Sequence, residues 1–377
     1  MRALIIGGGI GGLTTAIALY RRGISAQVFE QAPALQEVGA GIVLWPNAIN
    51  RLRSFGLVDA IVAAGARMER GELRRADGGV AVSSDQQWLE QECGAPAIAL
   101  HRADLQSILR AALPADAVTL GARLRTVTQD AASVTAHFED GTTATGDVLI
   151  GADGIRSVVR AAIRPETQLR YSGYVAWRGV VDGARAMVPG TSETWGRGER
   201  FGIVPIGGDR VYWFATGNRA AGIHSNPEAR RDELLRRFGG WHAPIRSLIE
   251  RTPLAQILEN DIHDIRPFRG WSRGRVTLLC EAAHPTTPNM GQGACMAIES
   301  GVAIARALAE IPAIGDALVA YEDGRHARTA WITKQSWQVG VLGQLSNPLA
   351  CAARDLMMRL TPSFAMKASL RRAAAGR

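Results

Sequence analysis

The feature that most narrows the fold is a glycine pattern near the start, Gly7-x-Gly9-x-x-Gly12. It lies between an apolar run at 3–6 and apolar residues at helical spacing over 13–20. In a chain with 42 glycines such a pattern alone means little, so its setting decides. Here it follows a strand and opens a helix, as a dinucleotide-binding turn requires. Gly7 permits the tight turn, Gly9 lets the backbone approach a pyrophosphate, and Gly12 lets helix and strand pack closely. The helix N-terminus offers free N–H groups and a positive dipole end to the phosphates. Gly23 ends the helix, and a second strand at 26–29 closes on Glu30, placed where an acid binds a ribose 2′-hydroxyl. A carboxylate there disfavours a 2′-phosphate, which points to FAD or NAD rather than NADP as the resident dinucleotide.

Further along, 134–138 and 142–150 read as strands around the turn Glu139-Asp140-Gly141. From 171 to 216, β-branched and aromatic residues alternate with small ones, and Gly207-Gly208-Asp209 marks a hairpin turn. That pattern predicts an antiparallel sheet separate from the parallel one. An apolar strand returns at 276–279, followed by glycines and a helical pattern over 294–308. The stretch from about 330 onward reads as helical, with Arg371-Arg372 near its end. The expected fold class is α/β: a discontinuous Rossmann-like nucleotide domain interrupted by a β-rich domain and followed by C-terminal helices.

Composition excludes several function classes. The net charge is +8, but the arginine pairs (21–22, 74–75, 236–237) are separated by neutral stretches and no basic tract is interleaved with aromatics, which argues against nucleic acid as a partner. Lys334 and Lys367 are the only lysines. Cys93, Cys280, Cys295 and Cys351 form no CxxC pair and no zinc-ligand spacing, so no metal is expected and a reducing compartment fits. The N-terminus enters a strand pattern at once, without a cleavable signal, and no apolar run reaches the roughly 18–20 residues that span a bilayer. A cytoplasmic protein without a transmembrane segment, monomer or homodimer, is the expectation.

Two further glycine-bearing segments follow apolar strands. One is Gly151-Ala152-Asp153-Gly154-Ile155-Arg156-Ser157; the other runs from Cys280-Glu281-Ala282-Ala283-His284-Pro285 to Pro288-Asn289-Met290-Gly291-Gln292-Gly293. With the first motif, in this order, the chain resembles the group A flavoprotein monooxygenases, the family of para-hydroxybenzoate, salicylate and urate hydroxylases and zeaxanthin epoxidase. The resemblance covers almost the whole chain. It implies a GR2-type Rossmann-like FAD-binding domain over 1–70, 95–165 and 265–340. It also implies a β-rich substrate domain over 71–94 and 166–264, and a C-terminal helical segment over 341–377. Asp153-Gly154 with Arg156 resembles the family's DG motif, which serves FAD and NAD(P)H. Segment 280–293 resembles the GD motif, whose acid holds the FAD ribityl or ribose and whose glycines approach the flavin; Gly291 and Gly293 match those glycines. Arg102 matches an arginine on the FAD phosphates. Gly39-Ala40-Gly41-Ile42 with Pro46-Asn47-Ala48 matches a loop beside the flavin. The sequence departs from the pattern at Cys280-Glu281, where the family has Gly-Asp. Glu281 keeps the carboxylate one methylene further out, and Cys280 adds a side chain where backbones pack closely.

The resemblance implies non-covalent FAD, reduced by NADH or NADPH as a transient donor. Oxygen then forms a C4a-hydroperoxyflavin that passes one atom to a small aromatic or heteroaromatic substrate, with water excluded. Arg200 and Tyr212 match substrate-binding positions on adjacent strands, and Pro285 matches a proline at the reacting flavin edge. A solvated Arg200 and a core Tyr212 are the plainer alternatives. Trp177 and Trp213 read as core, His284 as a packed loop residue rather than a base, and Cys295 as a small buried hydrophobe. An FAD-dependent reductase or dehydrogenase on the same fold, or a flavin-binding protein with lapsed oxygenase activity, stays open as an alternative.

Overall fold

The computed structural model describes residues 1–34, 40–361 and 363–376. Ala3, Leu4, Ile5 and Ile6 are buried, and the strand they form, Arg2–Ile6, lies inside a six-stranded sheet. Its neighbours Ser25–Phe29 and Val148–Gly151 run parallel to it, and Val276–Leu278 runs parallel to Val148–Gly151. Val118–Thr119 extends one edge in parallel, and Ser272–Arg273 closes the other as an antiparallel strand. A parallel sheet is covered on both faces, which is why its strands are continuous apolar runs rather than alternating ones.

This topology places the three motifs. Arg2–Ile6, Val148–Gly151 and Val276–Leu278 point the same way, so the turns that follow them meet at one end of the sheet. Each turn leads into a helix: Ile10–Tyr20, Val158–Ile163 and Gly293–Glu310. In open α/β sheets that carboxyl end is where ligands bind.

A seven-stranded sheet stands apart, in the order Leu258–Asp264, Arg170–Val181, Arg210–Asn218, Glu199–Ile206, Thr191–Trp195, Arg70–Arg75, Val80–Asp85. It is antiparallel except where Thr191–Trp195 meets Arg70–Arg75. The hairpin at 207–209 forms as expected, with Gly208 and Asp209 in left-handed backbone. This sheet has its own core around Trp177, Phe201, Trp213 and Phe238. Both tryptophans are fully buried, and their indole N–H groups donate to Glu259 and Thr252. They are core residues, as expected.

Two expectations need correction. Segment 142–150 is not one strand. Thr143–Gly146 pairs in a separate three-stranded sheet, and Val148–Gly151 enters the six-stranded one. The chain changes sheets at Asp147, whose carboxylate accepts from the Arg2 N–H at 2.6 Å. Gly146 sits so close to Arg2 that a Cβ there would lie 2.9 Å from its carbonyl oxygen. The C-terminal helical region also begins well before 330. A single helix runs Ile314–Gly343, past the expected boundary at 340, and Pro348–Leu360 and Ser363–Ala374 follow. Its mixed polar and apolar faces hid its start, because it packs on several partners. Among the described residues no helix is long and apolar enough to cross a membrane.

Candidate active site

At the carboxyl end of the six-stranded sheet lies a cavity of about 850 Å³. Gly9, Gly41, Arg102, Asp153, Glu281, Pro285 and Gly293 line it together. Gly7 and Gly12 lie behind it and serve packing. Gly7 has φ +110°, and a Cβ there would fall 2.3 Å from the Ala152 carbonyl oxygen; at Gly12 it would fall 1.9 Å from that of Gly7. Gly9 differs: a Cβ on it meets nothing within 4 Å, so the backbone borders open space at the N-terminus of Ile10–Tyr20. That bare backbone beside a helix N-terminus fits a pyrophosphate. Glu30 stands behind Gly8 and accepts its N–H at 2.6 Å and that of Ala32 at 2.9 Å. It thereby locks the glycine turn, and a carboxylate retains lone pairs for further donors. Gly39 lies outside the described residues.

The second and third turns are tied to each other. Asp153 accepts from the Ser157 hydroxyl (2.5 Å) and from the N–H groups of Val158 (2.8 Å) and Val159 (3.1 Å). It therefore holds the start of the following helix. Burial pushes its carboxyl up, against the opposing pull of these donors. Arg160, buried and unremarked in the sequence, donates to the carbonyls of Glu281 and Ala282 and to that of Ile155. One guanidinium thus joins the DG-like and GD-like turns. Glu281 is exposed to the cavity.

Cys280 has φ +57°, a left-handed backbone where glycine is favoured. Its sulfur lies against Gly11, where a Cβ would come within 1.9 Å of it. The side chain added at 280 is thus accommodated by a missing one at 11. Burial pushes the thiol well above its ordinary value, so it stays protonated. His284 is buried, with Nε2 3.1 Å from the Ser300 hydroxyl and its ring against Trp271. Burial and then Arg325 lower it to about 3, which fixes it neutral as a packing residue. Cys295 is fully buried, its thiol pushed up by burial to about 12.

A second cavity, of about 560 Å³, adjoins the first. Gly41, Arg178, Glu281, Pro288 and Gly293 line both. Tyr212 and Gly291 line only the second of the two, and Arg200 also faces it. Gly291 has φ +61° and turns the chain into Gly293–Glu310. Tyr212 packs on Gly41, where a Cβ would lie 2.4 Å from the base of its ring. Burial raises its phenol, and neighbouring Arg178 opposes this. Arg200 is 3% exposed. It donates to Gln344 (2.9 Å), Glu193 (3.3 Å) and Asn289 (2.6 Å). It is not a solvated strand residue; most of its donors serve the protein, and Glu193 balances its charge. Sequence reasoning missed Arg178 and Asn289. The one available signal was alternation along Arg170–Val181, which puts Ala176 and Arg178 on the face toward the cavity.

Three glycine-bearing turns at parallel strand ends, opening on one elongated cavity beside a sheet-walled second one, define a dinucleotide-binding oxidoreductase. Comparison with known proteins sharpens this. An FAD binding domain model matches residues 1–336. The chain is 44% identical over 376 residues to an aurachin C monooxygenase/isomerase of Stigmatella aurantiaca, covering 99% of this chain and 97% of that one. It is 36% identical over 329 residues to an FAD-dependent urate hydroxylase of Klebsiella pneumoniae, covering 86% of each. The crystal structure of Klebsiella pneumoniae HpxO complexed with FAD and uric acid superposes with a TM-score of 0.94 at 31% identity, covering 100% of this chain and 97% of that one. The chain belongs to the group A FAD-dependent monooxygenases. Its cofactor is FAD, with NADH or NADPH as electron donor.

Proposed function

We propose that this enzyme oxygenates a heteroaromatic substrate held between Arg178 and Tyr212 in the 560 Å³ cavity. The observation that carries the reading is the shared wall: the cofactor cavity and the substrate cavity meet at Gly41, Arg178, Glu281, Pro288 and Gly293. When bound there, reduced FAD supplies an activated oxygen atom for transfer to an electron-rich ring. The protein's own contribution is position and dryness. Gly9, Arg102 and the start of Ile10–Tyr20 take the pyrophosphate; Glu30 and Glu281 take sugar or ribityl hydroxyls; Gly41, Gly291 and Gly293 admit the ring system. Asp153 acts by holding its turn. Pro285 keeps water from the reacting edge. Arg178 donates to a substrate carbonyl or phenolate, and Tyr212 orients it. Arg200 holds Asn289, whose amide donates to the Thr287 hydroxyl and the Ser336 carbonyl, and so steadies the turn in the cavity wall; Glu193 balances Arg200, which leaves Arg178 as the charge that meets a substrate oxygen. The division at 1–70, 95–165 and 265–340 against 71–94 and 166–264, with helices after 341, is supported by the two separate cores. A cytoplasmic setting, with substrate and O₂ as the partners of a monomer or homodimer, completes the reading.

The test is direct. The purified protein should keep a two-band oxidised-flavin spectrum after desalting, and ¹⁸O₂ should label the product. Substrate turnover without oxygen would instead favour the dehydrogenase alternative, and bound FAD with no NAD(P)H oxidation the lapsed one. Two variants grade the residues. Glu281→Gln should weaken FAD binding about tenfold, as expected for losing a charge-assisted hydrogen bond; unchanged retention removes Glu281 from the site. Tyr212→Phe should raise KM about fivefold with little change in kcat, the scale of one neutral hydrogen bond.

A further inference from the structure

A third cavity, of about 500 Å³, lies beyond the substrate cavity, away from the glycine turns. Glu193, Val204, Phe214, Val339 and Leu370 stand in the wall of both. The chambers are therefore neighbours across single side chains. Leu73, from the next-to-edge strand Arg70–Arg75, Val82, from the edge strand Val80–Asp85, and Met358, from Pro348–Leu360, form its far side. The acids on its wall are already engaged: Glu72 accepts from Arg74 at 2.9 Å, and Glu193 accepts from Arg200 and from the Trp195 indole at 2.8 Å. Most of what faces the space is hydrocarbon, with Ser84, Gln86, Thr191, Ser192 and Thr361 as the other polar residues of the wall. A ring substrate needs only the 560 Å³ chamber, which already lies in the range that holds a drug-sized ligand. An equally large apolar annex next to it has no use for a compact polar ring.

We propose that the annex binds an aliphatic chain carried by the substrate, so that the preferred substrate is an aromatic head with a long alkyl or alkenyl tail. This rests on the reading of the 560 Å³ cavity as the site of the reacting ring. The head lies against Arg178 and Tyr212, and the tail passes Phe214 and Leu370 toward Leu73 and Val82. The C-terminal helices close the chamber over it. Burial of hydrocarbon gives the affinity, and the polar end fixes which ring position meets the cofactor.

The experiment uses the FAD-loaded enzyme and a series of 2-alkyl-4-quinolones with chains from methyl to nonyl. Their carbonyl suits Arg178, and only chain length varies. Binding is read from the perturbed flavin spectrum, and turnover from NAD(P)H oxidation and product mass. Dissociation constants should fall about fourfold per methylene over the first several carbons, as expected for methylenes leaving water. Val82→Phe and Leu73→Phe fill the annex without touching the ring chamber. Each should flatten that dependence while binding of the 2-methyl homologue stays unchanged, which also shows the variant to be folded. If short homologues bind and are oxygenated but affinity is flat with length, or the variants leave the slope intact, the annex proposal falls and the ring reading stands. If no homologue perturbs the flavin or is turned over, the ring reading falls and takes the annex with it.

Discussion

Replacing Glu299 by alanine is expected to cost about 3–5 kcal/mol of stability, the range for breaking a buried charge cluster by removing one partner. Glu299 lies in Gly293–Glu310, the helix that begins at the GD-like turn, and is 3% exposed. It accepts from Arg325 (2.7 Å), Arg328 (2.9 and 3.0 Å) and Asn47 (2.8 Å). Burial alone would push its carboxyl up; Arg325, then Arg328 and Asn47, overcome this and hold it at about 2. Against an ordinary 4.5 that depression is worth roughly 3 kcal/mol at neutral pH. Because the folded value is the lower one, the contribution is fully present above about 4.5 and is lost as pH falls through about 2. Wild-type stability in urea should decline across that window, whereas Glu299→Gln should lack this component of the decline. Arg328 also donates to the carbonyls of Arg372 and Ala373, so the loss should loosen the last helix, whose Leu370 and Ala373 line the substrate cavity. A Glu299→Ala protein whose unfolding free energy matches wild type within about 0.5 kcal/mol, the scatter of ordinary surface substitutions, would show the cluster to be inert.

This cluster marks the limit of what the sequence disclosed. The glycine turns were legible because each rests on local geometry: an apolar strand, a glycine that no other residue replaces, and a helix start. Parallel strands then bring three such turns to one sheet end without further information. Glu299 and Arg160 have no local signature, Arg178 has only the alternation of its strand, and Asn289 sits inside the third motif with nothing to mark its role. Arg160 reads as one more arginine in a short helix, and its meaning lies in carbonyls about 120 residues away. Alternation puts Arg178 on one face of its strand, but which face meets the cavity depends on the packing of the sheet. Glu30 was placed correctly at the strand end, but its bond to the Gly8 N–H depends on how the turn folds back over it. The apolar strand before Gly151 is legible from 147 on, but that 143–146 pairs in a different sheet is not, because both halves are β-forming and only pairing partners separate them.

The substitution at Cys280 was visible, but its counterpart was not, because Gly11 occupies a free position of the glycine pattern. The two are expected to be coupled. Gly11→Ala alone should cost about 1–3 kcal/mol, since the new methyl would sit 1.9 Å from the buried Cys280 sulfur. Cys280→Gly alone should change stability by less than about 1 kcal/mol: relief of the left-handed backbone at φ +57° gains roughly what the lost sulfur contacts cost. In the double variant the alanine finds the space the sulfur left, with the nearest remaining side chain, Ala297, at 3.3 Å from its Cβ. The cycle should therefore show a favourable coupling of about 1–2 kcal/mol in urea unfolding. Flavin retention should follow the same order, because Gly11 and Cys280 both border the cofactor cavity. If Gly11→Ala costs the same in both backgrounds, the sulfur does not need the missing side chain. A positive cycle would mean that the glycine the family places at the GD-like turn and the free position of the first motif meet one steric requirement, that a single side chain be absent between two turns that must touch. The chain then keeps its cradle with cysteine at 280 because it leaves the space open at 11.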